Sequence, residues 1–321
     1  PTSSAASGVW GSLNEVSGYV GAGTWPAPFG GAGYFAGGKN SSHVKLTTVD
    51  KLAFPDDTKS TLGTGLTTAT VNISGMSDAG VAGYCAGGAT SSSAHVSTVQ
   101  RFAFPGDTAS TLGTGLSTAV KNVGAFSNSG TAGYIAGGDT PPIDTVDKFA
   151  FPGETRTTLS AVLTTTVYAA PGMANYAVAG YISGGYGTSG TTRVDKFAFP
   201  GDTKSTLGTG LSAAVVYPSA FANSGTAGYV AGGNPITATV DKFAFPSDSR
   251  STLGTGLAAA TYFLAAMADT GTAGYVGGGY GTGYTDAIDK FAFPSDSRTT
   301  LSAVLTVPTL GLAAFADGND G

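Results

Sequence analysis

The chain is poor in the residues that carry most enzyme chemistry. Its 321 residues include one cysteine, two histidines, two glutamates and two tryptophans, and charged residues make up only 11%. The single cysteine, Cys85, excludes an intrachain disulfide framework. It stands in a slot held in other repeats by Phe35, Ile135, Ile182, Val230 and Val276, which marks it as a core thiol. No apolar run reaches the ~20 residues a membrane-spanning helix needs, so no membrane insertion is expected. The net charge is −5, and eleven of the fifteen Lys and Arg residues fall at two repeated positions. That excludes a basic patch and, with it, a nucleic-acid partner.

What the chain has in abundance is glycine, 51 residues, alongside 17 Phe, 14 Tyr and 41% hydrophobic residues. Glycine disfavours long helices, and the aromatics are too many for a disordered tract, so an all-β core is expected. The sequence repeats itself. An Ala-Gly-Tyr marker has its tyrosine at Tyr34, Tyr84, Tyr134, Tyr181, Tyr229 and Tyr275, with gaps of 50, 50, 47, 48 and 46 residues. The proline of Ala-Phe-Pro recurs in step at Pro55, Pro105, Pro152, Pro200, Pro246 and Pro294. A period of ~40 to 50 residues with several short strand candidates is the signature of propeller blades.

Each repeat divides into four strand candidates: GYVAG, TVDKFAF, STLGTGL and an AAAFAD-like stretch before the next marker. In TVDKFAF the alternation places Val240, Lys242 and Ala244 on one face and Asp241, Phe243 and Phe245 on the other. The FPSDSR stretch reads as a polar turn. The fourth stretch carries Met76, Phe126, Met173, Phe221 and Met267, and a sixth copy, Phe315, closes the chain. The expected fold is therefore a six-bladed β-propeller over residues 32–321, closed by a C-terminal strand at about residues 307–317 that completes the first blade. Phe29 competes with Phe315 for that slot, but Pro26 and Pro28 spoil a strand there.

Residues 1–31 stand outside the repeat and read as an attachment segment. Ser12 and Glu15 have capping-box spacing ahead of a short helix with Leu13 and Val16, and Trp10 and Trp25 flank it. These four apolar residues are the candidates for anchoring to another chain, and an oligomer is expected.

An apolar strand ending in Gly-Gly, a variable loop, the V-D-K-F strand and the T-L-G-x-G-L stretch together resemble the kelch repeat, with Leu62, Leu112, Leu159, Leu207, Leu253 and Leu301 where kelch repeats place Trp. The resemblance implies a propeller of four-stranded blades and says nearly nothing of function. The wording GYVAGG followed by VDKFAFPSDSRSTLGTGL is also similar to repeats in predicted tail-fibre-like virion proteins of marine and cyanobacterial phages. So is the Trp-to-Trp-Pro segment from Ala6 to Pro26. That likeness implies a non-enzymatic virion component that binds other virion proteins through its N-terminal segment and displays the propeller to a host glycan or protein. A cell-surface or secreted adhesin is the alternative, and a propeller hydrolase or lyase comes third.

Few polar groups break the repeat. His43 and His95 lie in loops, and no metal or cofactor is expected. The turn acids Asp57, Asp107, Glu154, Asp202, Asp248 and Asp296 recur in every blade and read as turn-formers. Asp50, Asp147, Asp195, Asp241 and Asp289 could ring a cation, but bonding to neighbouring backbone is the better reading. Variation concentrates in the loops after Gly-Gly, all six of which should emerge on one face. There Tyr186, Tyr280, Tyr284, Asp139, Asp144 and Asp286 are the candidates for partner contact.

Overall fold

The computed structural model describes residues 31–90, 94–139 and 141–318. Those residues form twenty-four short strands in six four-stranded antiparallel sheets, the blades of a six-bladed β-propeller. One blade illustrates all. Gly124–Asn128 is innermost, Ala132–Ala136 and Val146–Ala150 follow outward, and Thr155–Thr158 forms the rim. The six innermost strands touch one another around the central channel. They come that close because a small residue, Gly75, Ala125, Gly172, Ala220, Ala266 or Ala314, precedes each apolar marker.

The fourth stretch of each repeat crosses to the next blade and becomes its innermost strand. At the end of the chain this rule closes the ring. Ala313–Ala316 pairs antiparallel with Ala32–Ala36, setting Phe315 opposite Tyr34. The rival Phe29 and the attachment candidates Trp10, Leu13, Val16 and Trp25 lie outside the described residues.

One strand is not where the sequence places it. The expected third strand, STLGTGL, begins too late: the rim strand is Ser249–Thr252 in that repeat, directly after a four-residue turn over 245–248. The LGTGL portion leaves the sheet. Leu257 is buried there, its N–H donating to the Ala238 carbonyl, and a Cβ on Gly256 would fall 2.1 Å from that same oxygen. Glycine lets the chain curl under the neighbouring loop, so burial of the leucine wins over continued pairing.

The constant residues of the repeat lock blade to blade in three ways. First, the aspartate of Val-Asp-Lys-Phe reaches the preceding blade. Asp147 Oδ2 accepts the Ser117 N–H at 2.7 Å and the Ser117 hydroxyl at 2.8 Å, while its Oδ1 accepts from Thr158. Asp195, Asp241, Asp289 and Asp50 repeat this contact, and Gln100 substitutes in the second blade. These carboxylates are occupied with backbone, as the sequence suggests.

Second, the turn acids do more than shape a turn. Each adopts a left-handed φ of 50 to 57°, which Asp tolerates better than most residues, and turns its carboxylate toward the preceding blade. Tyr134 Oη donates to Asp202 Oδ1 at 2.7 Å, and Lys148 Nζ pairs with Asp202 Oδ2 at 2.6 Å while lying 5.4 Å from the Tyr134 ring centre. Tyr84 and Arg101 make the same bonds to Glu154. The ring is complete, because Tyr275 and Lys290 in the last blade both bind Asp57 in the first.

Third, the glycine of each Ala-Gly-Tyr marker is a seat for the apolar marker of the preceding blade. A Cβ on Gly180 would meet the Phe126 ring at 2.0 Å, whereas one on Gly133 would meet the Met76 thioether at 2.3 Å. The marker alternates Phe and Met around the ring: Phe315, Met76, Phe126, Met173, Phe221, Met267. A thioether chain can swing aside and a ring cannot. Overpacking typically costs about 1–3 kcal/mol. Gly180→Ala is therefore expected to lose about 3 kcal/mol or more and Gly133→Ala about 1 kcal/mol, read from chemical denaturation of the two variants side by side.

Candidate functional site

At the end of the channel where the Gly-Gly loops emerge, six residues form a closed belt of backbone hydrogen bonds. Asn72 N–H donates to the Gly311 carbonyl, Asn122 to Asn72, Ala169 to Asn122, Tyr217 to Ala169, Phe263 to Tyr217 and Gly311 to Phe263, at 2.7 to 3.1 Å. All six have left-handed φ between 54 and 66°. Asn and Gly adopt that conformation at little cost, whereas in Tyr217 and Phe263 it is strained by about 1–2 kcal/mol. Two bulky aromatics are thus held where the fold would prefer a small residue.

Just outside the belt, the residue before each belt position bridges to the residue after Gly-Gly. The pairs are Leu310 with Lys39, Val71 with Ala89, Lys121 with Asp139, Tyr168 with Tyr186, Val216 with Asn234, and Tyr262 with Tyr280. These bridges confirm that all six variable loops leave the blades at one end. They also show that the position has no fixed chemical requirement: aliphatic, charged, amide and aromatic residues all fill it.

The aromatics gather on one arc. Tyr168 lies 5.6 Å from Tyr186 and 6.2 Å from Tyr217, ring centre to ring centre. Tyr217 stacks on Phe263 at 3.7 Å, Tyr262 adjoins both, and the series continues through Tyr280 to Tyr284 and His43. The arc has two unlike lobes. Phe263, Tyr280 and Tyr284 pack against the buried Val71, Ala89 and Leu310, which fills that side of the mouth. The Tyr168, Tyr186 and Tyr217 side borders an open cleft of about 540 Å³.

The structure thus brings three of the sequence candidates, Tyr186, Tyr280 and Tyr284, into one surface. Asp139 flanks it, 3.8 Å from Lys121. Burial first, and then the Asp139 charge, pushes the Tyr168 hydroxyl above its ordinary pKa; in Tyr217 burial comes first, then the charges of Tyr168 and Asp139. Asp144 and Asp286 sit further along their loops, half-buried, with carbonyls accepting the Leu163 and Leu305 N–H groups, and join none of the ring contacts. Sequence reasoning missed Tyr168, Tyr217, Tyr262 and Phe263. They precede the innermost strand, and only alignment of the six copies shows aromatics where Val71, Lys121, Asn72 and Asn122 stand elsewhere.

Inside the belt the channel holds a cavity of about 110 Å³, lined, among the described residues, by no Asp, Glu, His, Cys, Lys or Arg. At its far end Asp78, Asp269 and Asp317 take the place that Asn128, Asn175 and Asn223 hold in the other blades. Burial raises the pKa of all three carboxyls. Asp78 accepts the Gly130 N–H at 2.9 Å and Asp317 the Ala32 N–H at 2.6 Å. Among the described residues no group of three His, Cys, Asp or Glu could hold a metal ion, His43 is exposed, and no helix is long and apolar enough to cross a membrane. Cys85 is buried, and burial raises its thiol pKa. No protein-family model and no curated protein matches the chain.

Proposed function

We propose that this chain is a non-enzymatic virion appendage of tail-fibre type, whose propeller presents its loop end to a host or partner surface. The observation that carries the reading is the aromatic arc from Tyr168 to Tyr284, built partly at bridge positions where the fold accepts any residue and partly at belt positions whose conformation aromatics resist. Tyr186 is exposed and the other aromatics of the arc are half-buried, and aromatics held on a rigid scaffold offer large contact area at low entropic cost. The constant acids support the non-enzymatic part, because they are committed to inter-blade bonds and the channel cavity has no carboxylate pair for glycoside hydrolysis. The repeat wording, similar to kelch repeats and to predicted phage virion proteins, supports the appendage part.

On this reading residues 1–31, with Trp10, Leu13, Val16 and Trp25, attach the chain to other virion proteins as an oligomer, and the ring faces outward. The test is immunogold labelling of purified particles with antibody to the propeller. Multiple copies on the particle surface are expected. Label confined to cell envelopes would instead favour a cell-surface adhesin using the same face.

A further inference from the structure

We infer that the cleft between the fourth and fifth blades binds the terminal ring of a neutral sugar. This rests on the reading of the loop end as a contact face and specifies its ligand class.

The cleft lining is of two kinds. Tyr168, Tyr186 and Tyr217 supply aromatic faces and hydroxyls, and Val216, Asn234 and Pro235 supply an apolar surface and a carboxamide. A pyranose ring matches that combination. Its axial C–H groups form an apolar face that lies flat on an aromatic ring, and its equatorial hydroxyls project sideways to donors and acceptors such as Tyr Oη and the Asn amide. The volume of about 540 Å³ lies in the range of small-molecule sites.

The charge of the lining selects among sugars. Among the described residues no Lys, Arg, Asp or Glu borders the cleft, and Asp139 adds its negative charge to burial in raising the Tyr168 and Tyr217 hydroxyl pKa. A sialic or uronic acid would lose hydration at its carboxylate and meet no cation, so a neutral hexose is preferred. Folding does not account for these tyrosines. Equivalent positions hold Val71 and Ala89 in the second blade and Lys121 and Asp139 in the third, and Tyr186 remains 37% exposed. The other aromatic lobe is excluded as the site because Phe263, Tyr280 and Tyr284 already cover the apolar cluster of Val71, Ala89 and Leu310.

The experiment is saturation-transfer NMR and calorimetric titration of the full chain with the methyl glycosides of glucose, galactose, mannose and N-acetylglucosamine, alongside glucuronate and sialic acid. At least one neutral glycoside should bind, and Tyr186→Ala, with an unchanged melting temperature, should weaken it about tenfold or more. Asn234→Ala should weaken it less, and the acidic sugars should bind more weakly than the neutral one. The proposal is overturned if no neutral glycoside binds, if binding survives Tyr186→Ala intact, or if an acidic sugar binds best. Adsorption to host envelopes separates the two readings. Adsorption that is lost in Tyr186→Ala without any sugar binding would leave the contact face standing and remove only the sugar.

Discussion

Above about pH 10 the propeller is expected to lose stability at about 8 kcal/mol per pH unit and to unfold in one step. The six marker tyrosines are 0 to 1% exposed and donate to a turn acid. Burial first, then the hydrogen bond to the acid, raises each hydroxyl pKa well above its ordinary value. The sign follows directly. A folded-state pKa raised above the unfolded one gives stability that is complete below the unfolded pKa, about 10, and declines as pH climbs toward the folded value. Each tyrosine that ionises only in the unfolded chain contributes about 1.4 kcal/mol per pH unit, and six act together. Phenolate absorbance from these six should therefore appear together with the loss of near-ultraviolet circular dichroism. A gradual rise in phenolate over an intact fold would contradict the burial and the bonds described. Tyr134→Phe should remove one proton from the transition, flattening its slope by about a sixth, and cost about 1–2 kcal/mol at neutral pH for the donor lost to Asp202.

Phe315→Asp is expected to open the ring. Phe315 is 3% exposed, stacks on Tyr34 at 5.1 Å, approaches Phe102 and Phe104 at 6.1 and 6.3 Å, and rests on Gly83 of the second blade. Removing a buried aromatic costs about 3–5 kcal/mol, and placing a carboxylate there costs several more. Together these are comparable to the whole stability of a typical domain, about 5–15 kcal/mol. The cheaper response is for Ala313–Ala316 to leave the sheet, which exposes the edge of Ala32–Ala36. A thermal melt should show no cooperative transition near that of the unmodified chain, and gel filtration should show aggregates. Tyr176→Asp, at a residue 47% exposed in a hairpin turn, is the control and should change stability by less than about 0.5 kcal/mol. A cooperative melt of Phe315→Asp within a few degrees of the control would mean that the closing strand is dispensable.

The scaffold was legible because six copies amplify one signal. The markers gave the blade count, and the choice of Phe315 over Phe29 followed from proline chemistry; Phe315 indeed pairs with Tyr34. The rim strand was misplaced because Leu253 and Leu257 look like the apolar positions of a strand, while in fact they anchor a loop that glycine allows to curl back. The partners of Asp202 or Asp57 could not be read. They lie 68 and 218 residues away in sequence, and six-fold recurrence looks the same whether a residue shapes its own turn or binds the preceding blade.

The mouth was legible only in part, for the opposite reason. Tyr186, Tyr280 and Tyr284 stood out because they lie in loops that plainly vary. Tyr168, Tyr217, Tyr262 and Phe263 sit beside a strand whose apolar character hides an added aromatic, and only the bridges reveal that Tyr168 and Tyr262 stand at positions open to any residue, and only the left-handed belt that Tyr217 and Phe263 stand at strained ones. Departure from the repeat is therefore the more useful functional signal in such a chain, and it has to be sought position by position.

The most direct test of the proposed division between a constant frame and a contact arc is adsorption of this chain to envelope fragments of the proposed host, compared with its Tyr168→Ala/Tyr186→Ala variant. Both proteins should melt at the same temperature, and the variant should adsorb about tenfold more weakly or worse. Equal adsorption by the two, with the fold intact in both, would contradict the account and place the contact surface elsewhere on the ring.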